Sequence, residues 1–301
     1  MFNFFRGLFR RSKSEHVPAS TAVETAPLSE EQLETVSQPG IKVNPPQLIV
    51  GTGQSVGMQR DHNEDTLYAF HAILADGTND LPFGVFIIAD GMGGHLNGEI
   101  ASGSAAKTLG DYLLTRFYMP FLSGQPDAGG ESIHEIMENG VREAQRAVLR
   151  SAPGGGTTLT AALVIGDQVT ISHVGDSRAY FIHADGRIEA ITQDHSLVRR
   201  LQDLGQIDEK EASVHPQRNV LYRALGQSEP FRPDINTHVM PNRGYLLLCS
   251  DGLWGSVADD EMHRIVSAAP EPAIACQKLI EAANQAGGPD NISAILVQYL
   301  S

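Results

Sequence analysis

Apolar and polar positions alternate along this chain with two different periods. Short runs rich in β-branched, leucine and aromatic residues predict strands over 48–50, 67–70, 85–89, 157–165, 168–174, 179–183, 244–250 and 292–300. Apolar residues at helical spacing predict helices over 97–117, 133–149, 259–268 and 271–286; Ile136, Met137, Val141, Ala144 and Val148 mark the buried face of the second. The stretch 119–130, with its prolines and glycines, reads as a loop. Gly166-Asp167 and Asp185-Gly186 are tight-turn signals, so the three strands between Thr157 and His183 are expected to run antiparallel. A short helix over 196–205, a polar stretch with a His215-Pro216 turn and a return toward strand over 219–226 read together as an insertion. We expect 195–226 to form a flap over the sheet rim that carries substrate contacts.

The first residues follow another pattern. In 1–14, Phe2, Phe4, Phe5, Leu8 and Phe9 fall on one side of a helix and Arg6, Arg10, Arg11 and Lys13 on the other. Three readings stand side by side: a disordered tail, a partner-docking helix, and an amphipathic helix lying weakly on an anionic membrane. The segment 15–47, rich in Pro, Ser, Thr, Glu and Ala, reads as a flexible linker. The globular part is 48–301.

Composition narrows the partners. Lys and Arg number 22 against 36 Asp and Glu, a net charge of −14, which argues against nucleic acid and suits a site that holds cations on carboxylates. The two cysteines, Cys249 and Cys276, lie in apolar segments, which excludes a disulfide scaffold and makes a reducing compartment the default. No apolar run is long enough to span a bilayer, so a cytoplasmic protein is expected, with peripheral membrane attachment through 1–14 as its one variation.

Candidate chemistry gathers at strand ends. Gly51 to Gly57 resembles a nucleotide loop only superficially, because Met58-Gln59 follows where Gly-Lys-Ser/Thr is required; a glycine-rich strand with a bend is expected instead. Asp90 and Asp251 end apolar strands, Asp176 ends another beside Gly175, and Asp290 precedes the last. Arg60, Glu64 and Asp65 cluster before the second strand, where an ordinary surface ion pair is the competing account. Carboxylates that converge repel unless a cation separates them, and oxygen-only donors suit Mg²⁺ or Mn²⁺. Two such ions about 3.5–4 Å apart activate a water for phosphate-ester hydrolysis, and a guanidinium such as Arg60 grips the phosphoryl oxygens.

Several motifs occur in a fixed order: Arg60-Asp61-His62-Asn63-Glu64-Asp65, Asp90-Gly91-Met92-Gly93-Gly94-His95, Gly156-Thr157-Thr158, Gly175-Asp176-Ser177-Arg178, Asp194-His195-Ser196, Ser250-Asp251-Gly252-Leu253-Trp254 and Asp290-Asn291-Ile292. The ordered set resembles the metal-dependent serine/threonine protein phosphatases of type 2C, most closely their bacterial branch. That resemblance implies an α+β fold, a four-layer αββα sandwich of two antiparallel β-sheets flanked by helices, with 48–301 as the catalytic domain. It implies two Mg²⁺ or Mn²⁺ ions bridged by Asp90, with the Gly91 carbonyl on one and Asp251 and Asp290 on the other. Asp65 would reach the ions through water, with help from Glu64, and Asp176 would hold a third, weaker ion. Arg60 would bind the substrate phosphate. The substrates implied are phosphoproteins made by a serine/threonine kinase. Animal members carry a histidine after Asp-Gly as general acid; here Met92 stands there, leaving His95 or a metal-bound water for that role. Two other readings remain: an inactive binding module with this fold, and a hydrolase of another phosphoester.

Overall fold

The computed structural model describes residues 44–75, 80–93, 96–123, 130–227 and 231–301. The segment 1–14 and nearly all of the expected linker, like His95, lie outside the described residues.

Two sheets form the centre. One has the order β1 (Gln47–Ser55), β11 (Ile292–Leu300), β10 (Tyr245–Cys249), β7 (Arg178–Ile182) and β8 (Ile188–Ala190). The other has the order β2 (Asp65–Ala75), β3 (Asp80–Met92), β5 (Leu159–Ile165), β6 (Gln168–Val174) and β9 (Asp234–Val239), with the short β4 (Gly156–Thr157) on the end of β3. Every pairing is antiparallel.

Side chains alternate across each strand, which builds three cores from one pattern. Phe86, Ile88, Leu246, Leu248, Ile295 and Val297 meet between the sheets. Val85, Ile87 and Ala89 turn to the other face, against α1 (Leu96–Leu113) and α3 (Ile133–Ser151). Leu247, Cys249, Ala294 and Leu296 face α7 (Asp259–Ala268) and α8 (Pro272–Gln285). The result is the expected helix–sheet–sheet–helix sandwich. Ser132 opens α3 with a reciprocal cap: its hydroxyl accepts from the Glu135 N–H while Glu135 accepts from the Ser132 N–H.

Local structure departs from expectation in six places, the first being β8, which no apolar run announced. The strand glycines mark a close approach instead of a bend: β1 keeps register with β11 from Gln47 to Ser55, and a side chain at Gly51 would strike the Pro272 backbone of α8. β6 and β7 do not form a hairpin, because Gly175-Asp176-Ser177 carries the chain from one sheet to the other. Beyond α1 the chain stays helical through a π turn, Leu114–Tyr118, and α2 (Met119–Leu122), where a loop was expected; Pro120 sits in the first turn of α2, where its missing N–H costs nothing. Residues 219–226 make no strand, only single bridges from Leu221 to Ser196 and from Leu225 to Thr157. Two helices, α4 (Leu197–Asp203) and α5 (Glu209–Ser213), form the flap between them. Finally, β9 was not foreseen in a polar stretch.

Candidate active site

The face that fills the space between the sheets runs on past the strand ends and there turns polar. On β3 the positions after Phe86 and Ile88 lead to Asp90; on β10, those after Leu246 and Leu248 lead to Ser250; on β11, those before Val297 and Ile295 lead back to Ser293. Asp65 is the register partner of Asp90 across β2 and β3. The same alternation that makes the core thus gathers acids at one end of it.

Hydrogen bonds fix this cluster. Asp65 Oδ2 accepts from Ser250 Oγ at 2.8 Å and Ser293 Oγ at 2.7 Å. Thr158 Oγ1 accepts from the Asp90 N–H at 2.9 Å, and the Asp90 carbonyl accepts from the Thr158 N–H and the Thr157 hydroxyl, each at 2.9 Å. Asn291 organises the loop before β2: its amide donates to the carbonyls of Val56 and His62 at 2.8 and 2.9 Å, and its Oδ1 accepts from the Glu64 N–H at 2.8 Å. Gly91 donates to the Glu64 carbonyl at 3.2 Å, and a side chain at Gly91 would collide with that carbonyl and with the Gly98 backbone.

The acids are in each other's fields. Burial, then Asp65, Asp251, Asp176 and Asp290 in turn, push the Asp90 carboxyl far above its usual range. Burial, outweighing the two serine hydroxyls, raises Asp65 to about 7. Burial and the Asp290 charge raise Asp251 to about 6, against a hydrogen bond from Asp90. Asp176 is raised by burial and by Asp251 and Asp194. Asp65 Oδ1 and Asp251 Oδ1 are shut from solvent and have no partner. No three His, Cys, Asp or Glu side chains among the described residues stand as a ready-made metal cage. Instead the Asp90 and Asp251 carboxyls lie close enough to act on one another directly. An all-oxygen donor set with two orphaned carboxylate oxygens fits a hard divalent cation.

Arg60 lies at the mouth, its side chain half exposed, and donates to Asp290 Oδ2 at 2.7 Å. The pair expected near it is therefore made with a distant acid; Glu64 is held by His62 Nε2 at 3.0 Å.

Comparison with known proteins decides the family. Residues 51–292 match the model of the family described as Protein phosphatase 2C. The chain belongs to the protein phosphatase 2C family. Protein phosphatase PhpP of Streptococcus pneumoniae is 35% identical over 248 residues, which cover 80% of this chain and 94% of that protein. Serine/threonine phosphatase stp of Listeria monocytogenes is 34% identical over 256 residues, covering 80% of this chain and 92% of that one. The crystal structure of the Mycobacterium tuberculosis serine/threonine phosphatase PstP/Ppp superposes with a TM-score of 0.68 at 31% identity, covering 83% of this chain and 98% of its own. A further structure, the catalytic domain of PstP, was solved with two manganese ions; it has a TM-score of 0.67 at 30% identity, covering 84% and 99%.

The structure brings Asp65, Asp90, Asp176, Asp251 and Asp290 into one electrostatic cluster, with Arg60 beside it. It gives supporting roles to Thr157, Thr158, Ser250 and Asn291, which the sequence offered only as members of the ordered motifs, and to Ser293, which no motif contained. It also adds a second layer around Asp176. Arg178 donates to both oxygens of Asp194 at 2.9 and 2.8 Å and stacks 3.6 Å over the Trp254 ring, while Trp254 Nε1 donates to the Asp176 carbonyl at 2.9 Å.

Proposed function

We infer that this chain is a metal-dependent protein serine/threonine phosphatase that removes phosphate from phosphoserine and phosphothreonine. The observation that carries the reading is Asp90, set among four other acids at the open end of the sandwich. Asp90, the Gly91 carbonyl, Asp251 and Asp290 are the groups that would hold two Mg²⁺ or Mn²⁺ ions, with Asp65 behind a water and Asp176 on a third. When bound, these ions would supply Lewis acidity and a water activated for hydrolysis of the phosphate ester without a covalent phosphoenzyme.

The chain's own groups do the rest. Arg60 orients the phosphoryl group through charge-assisted hydrogen bonds from its exposed guanidinium. Ser250 and Ser293 hold Asp65 facing the acids, and the two threonines lock the Asp90 backbone, so the donors are preorganised. Met92 cannot donate a proton to the leaving alkoxide; His95 remains the candidate among side chains nearby in sequence. No covalent cysteine route competes: both thiols are buried, and burial raises Cys249 strongly and Cys276 to about 12. Phosphoproteins made by a serine/threonine kinase are the proposed substrates, and 1–14 is a proposed docking segment for a membrane or a protein. No described helix is long and apolar enough to cross a membrane.

The test is phosphate release from a phosphothreonine peptide with Mn²⁺ and with chelator, run beside Asp90→Asn. Release that needs Mn²⁺ and Asp90 is expected. A folded, Mn²⁺-loaded protein that releases nothing would be a binding module; preference for nucleotides or sugar phosphates would move the substrate class.

A further inference from the structure

Both ends of the flap are fastened beside the acid cluster. At its exit Leu225 exchanges backbone hydrogen bonds with Thr157 at 2.9 and 3.0 Å. At its entry one buried side chain does the fastening. The His195 N–H donates to the Gly175 carbonyl at 2.7 Å, and the Gly175 N–H donates to His195 Nδ1 at 3.0 Å. A backbone N–H can only donate, so Nδ1 is the acceptor on this side of the ring. Nε2 faces both Asp234 Oδ2 at 3.1 Å and Arg223 Nη1 at 3.1 Å, and the other Asp234 oxygen accepts from the same Arg223 nitrogen at 2.7 Å. Arg223 belongs to the flap exit, where the Tyr222 N–H also donates to the His195 carbonyl at 2.9 Å. One imidazole therefore has one nitrogen on the loop that carries Asp176 and the other on the far end of the flap.

The Asp176 loop has little room to respond in any other way. Gly175 sits at φ +108°, and a side chain there would meet Thr158 at 2.6 Å. Trp254 holds the Asp176 carbonyl from the opposite side. Beside the joint lies a cavity of about 320 Å³ bounded by Ile171, His173, Gln193, Arg199, Asp234 and Asn236.

We propose that His195 is a positioning residue: through Gly175 it sets Asp176 toward the ion it would hold, and through Asp234 and Arg223 it couples that loop to the flap. This rests on Asp176 being a metal ligand. Two near-isosteric replacements separate the two halves of the role. In His195→Asn the amide oxygen stands near the place of Nδ1 and keeps the Gly175 bond but loses Asp234. In His195→Gln the amide nitrogen stands near the place of Nε2 and keeps Asp234 but loses Gly175.

The experiment is calorimetric titration with Mn²⁺, metal-free melting, and KM and kcat on a phosphothreonine peptide and on p-nitrophenyl phosphate. His195→Gln is expected to weaken the most loosely held ion roughly 10- to 100-fold, as loss of an outer-shell partner does. His195→Asn is expected to bind Mn²⁺ as the parent does and to raise KM about tenfold for the peptide alone, the size of one charge-assisted hydrogen bond. Asp234→Ala, at a half-exposed side chain, should repeat the Asn result without disturbing the core. Identical Mn²⁺ binding in His195→Gln and parent, or losses in all variants that only track the melting temperature, overturns the coupling. Asp176→Asn is the control. If it binds every ion as the parent does, the ligand reading falls and the coupling with it. If it loses an ion while His195→Gln does not, only the coupling falls.

Discussion

Removing one acid from the cluster should make the metal-free protein more stable and the enzyme inactive. Asp251 is the informative choice. Its carboxyl rises from an ordinary 3.8 to about 6, chiefly by burial and secondly by the Asp290 charge. Each tenfold change in that equilibrium is worth about 1.4 kcal/mol, so keeping Asp251 ionised at pH 8 costs the fold about 3 kcal/mol. In Asp251→Asn that cost disappears, because the amide carries no charge at any of these pH values. For a domain of this size the gain corresponds to roughly 6–12 °C in Tm. The sign with pH follows from the direction of the shift. The folded protein keeps a proton that the unfolded chain has lost, so the parent's stability falls as pH rises through about 6. The gap between variant and parent should therefore be small at pH 4 and complete by pH 8. Mn²⁺ closes the gap: it adds roughly 2.7 kcal/mol to the parent at about 100 times its Kd and roughly 4.1 at about 1,000 times, where the order reverses, and far less to the variant. The assay is thermal melting of both proteins, in chelator and in Mn²⁺, at the two pH values, beside phosphopeptide turnover. A variant that melts below the parent in chelator at pH 8, or gains as much from Mn²⁺, would refute the idea that these acids strain against one another to hold a metal.

Arg60→Ala should lower kcat/KM for a phosphothreonine peptide by roughly 10- to 100-fold through lost charge-assisted hydrogen bonds, while calorimetric Mn²⁺ binding persists; unchanged kcat/KM would remove Arg60 from the phosphate. Mn²⁺ affinity should rise between pH 6 and 8, because Asp65 at about 7 and Asp251 at about 6 must lose their protons to bind it. Titration in two buffers of different ionisation heat would register that proton release, and its absence would count against the raised carboxyls. Deleting residues 1–14 should reduce sedimentation with anionic vesicles and leave peptide hydrolysis intact; equal sedimentation of both proteins ends the membrane-docking reading.

The site was legible where chemistry coincides with a strand end. Asp90 and Asp251 stand out because an apolar run stops on an acid and a glycine follows. Asp176 was legible as an acid, but its surroundings were misread: a short link between two strands suggested a hairpin, whereas Gly175 at positive φ sends the chain into the other sheet. β9 escaped notice because its exposed positions leave an edge strand with little apolar signal. Residues 219–226 looked like strand, yet the flap exit makes only single bridges there, an outcome set by tertiary closure and not by local preference. Ser250 and Asn291 stood in the motifs without a role and Ser293 stood in none; their roles follow from which residues β10 and β11 bring beside β2, and no local reading of the chain contains that.

The Arg60–Asp290 contact has a consequence for how the enzyme is switched on. With the roles proposed above, one carboxylate would be contested by two cations, the guanidinium and a divalent ion, and one guanidinium by two anions, Asp290 and a phosphoryl group. Substrate that draws Arg60 away leaves Asp290 available to manganese, and manganese that takes Asp290 frees Arg60 for substrate, so each favours arrival of the other by the same factor. An exposed pair is worth at most about 1 kcal/mol, which limits that mutual help to about fivefold. Half-saturation by manganese should accordingly drift to lower concentration as phosphopeptide is increased, a gentle synergy built from a single ion pair.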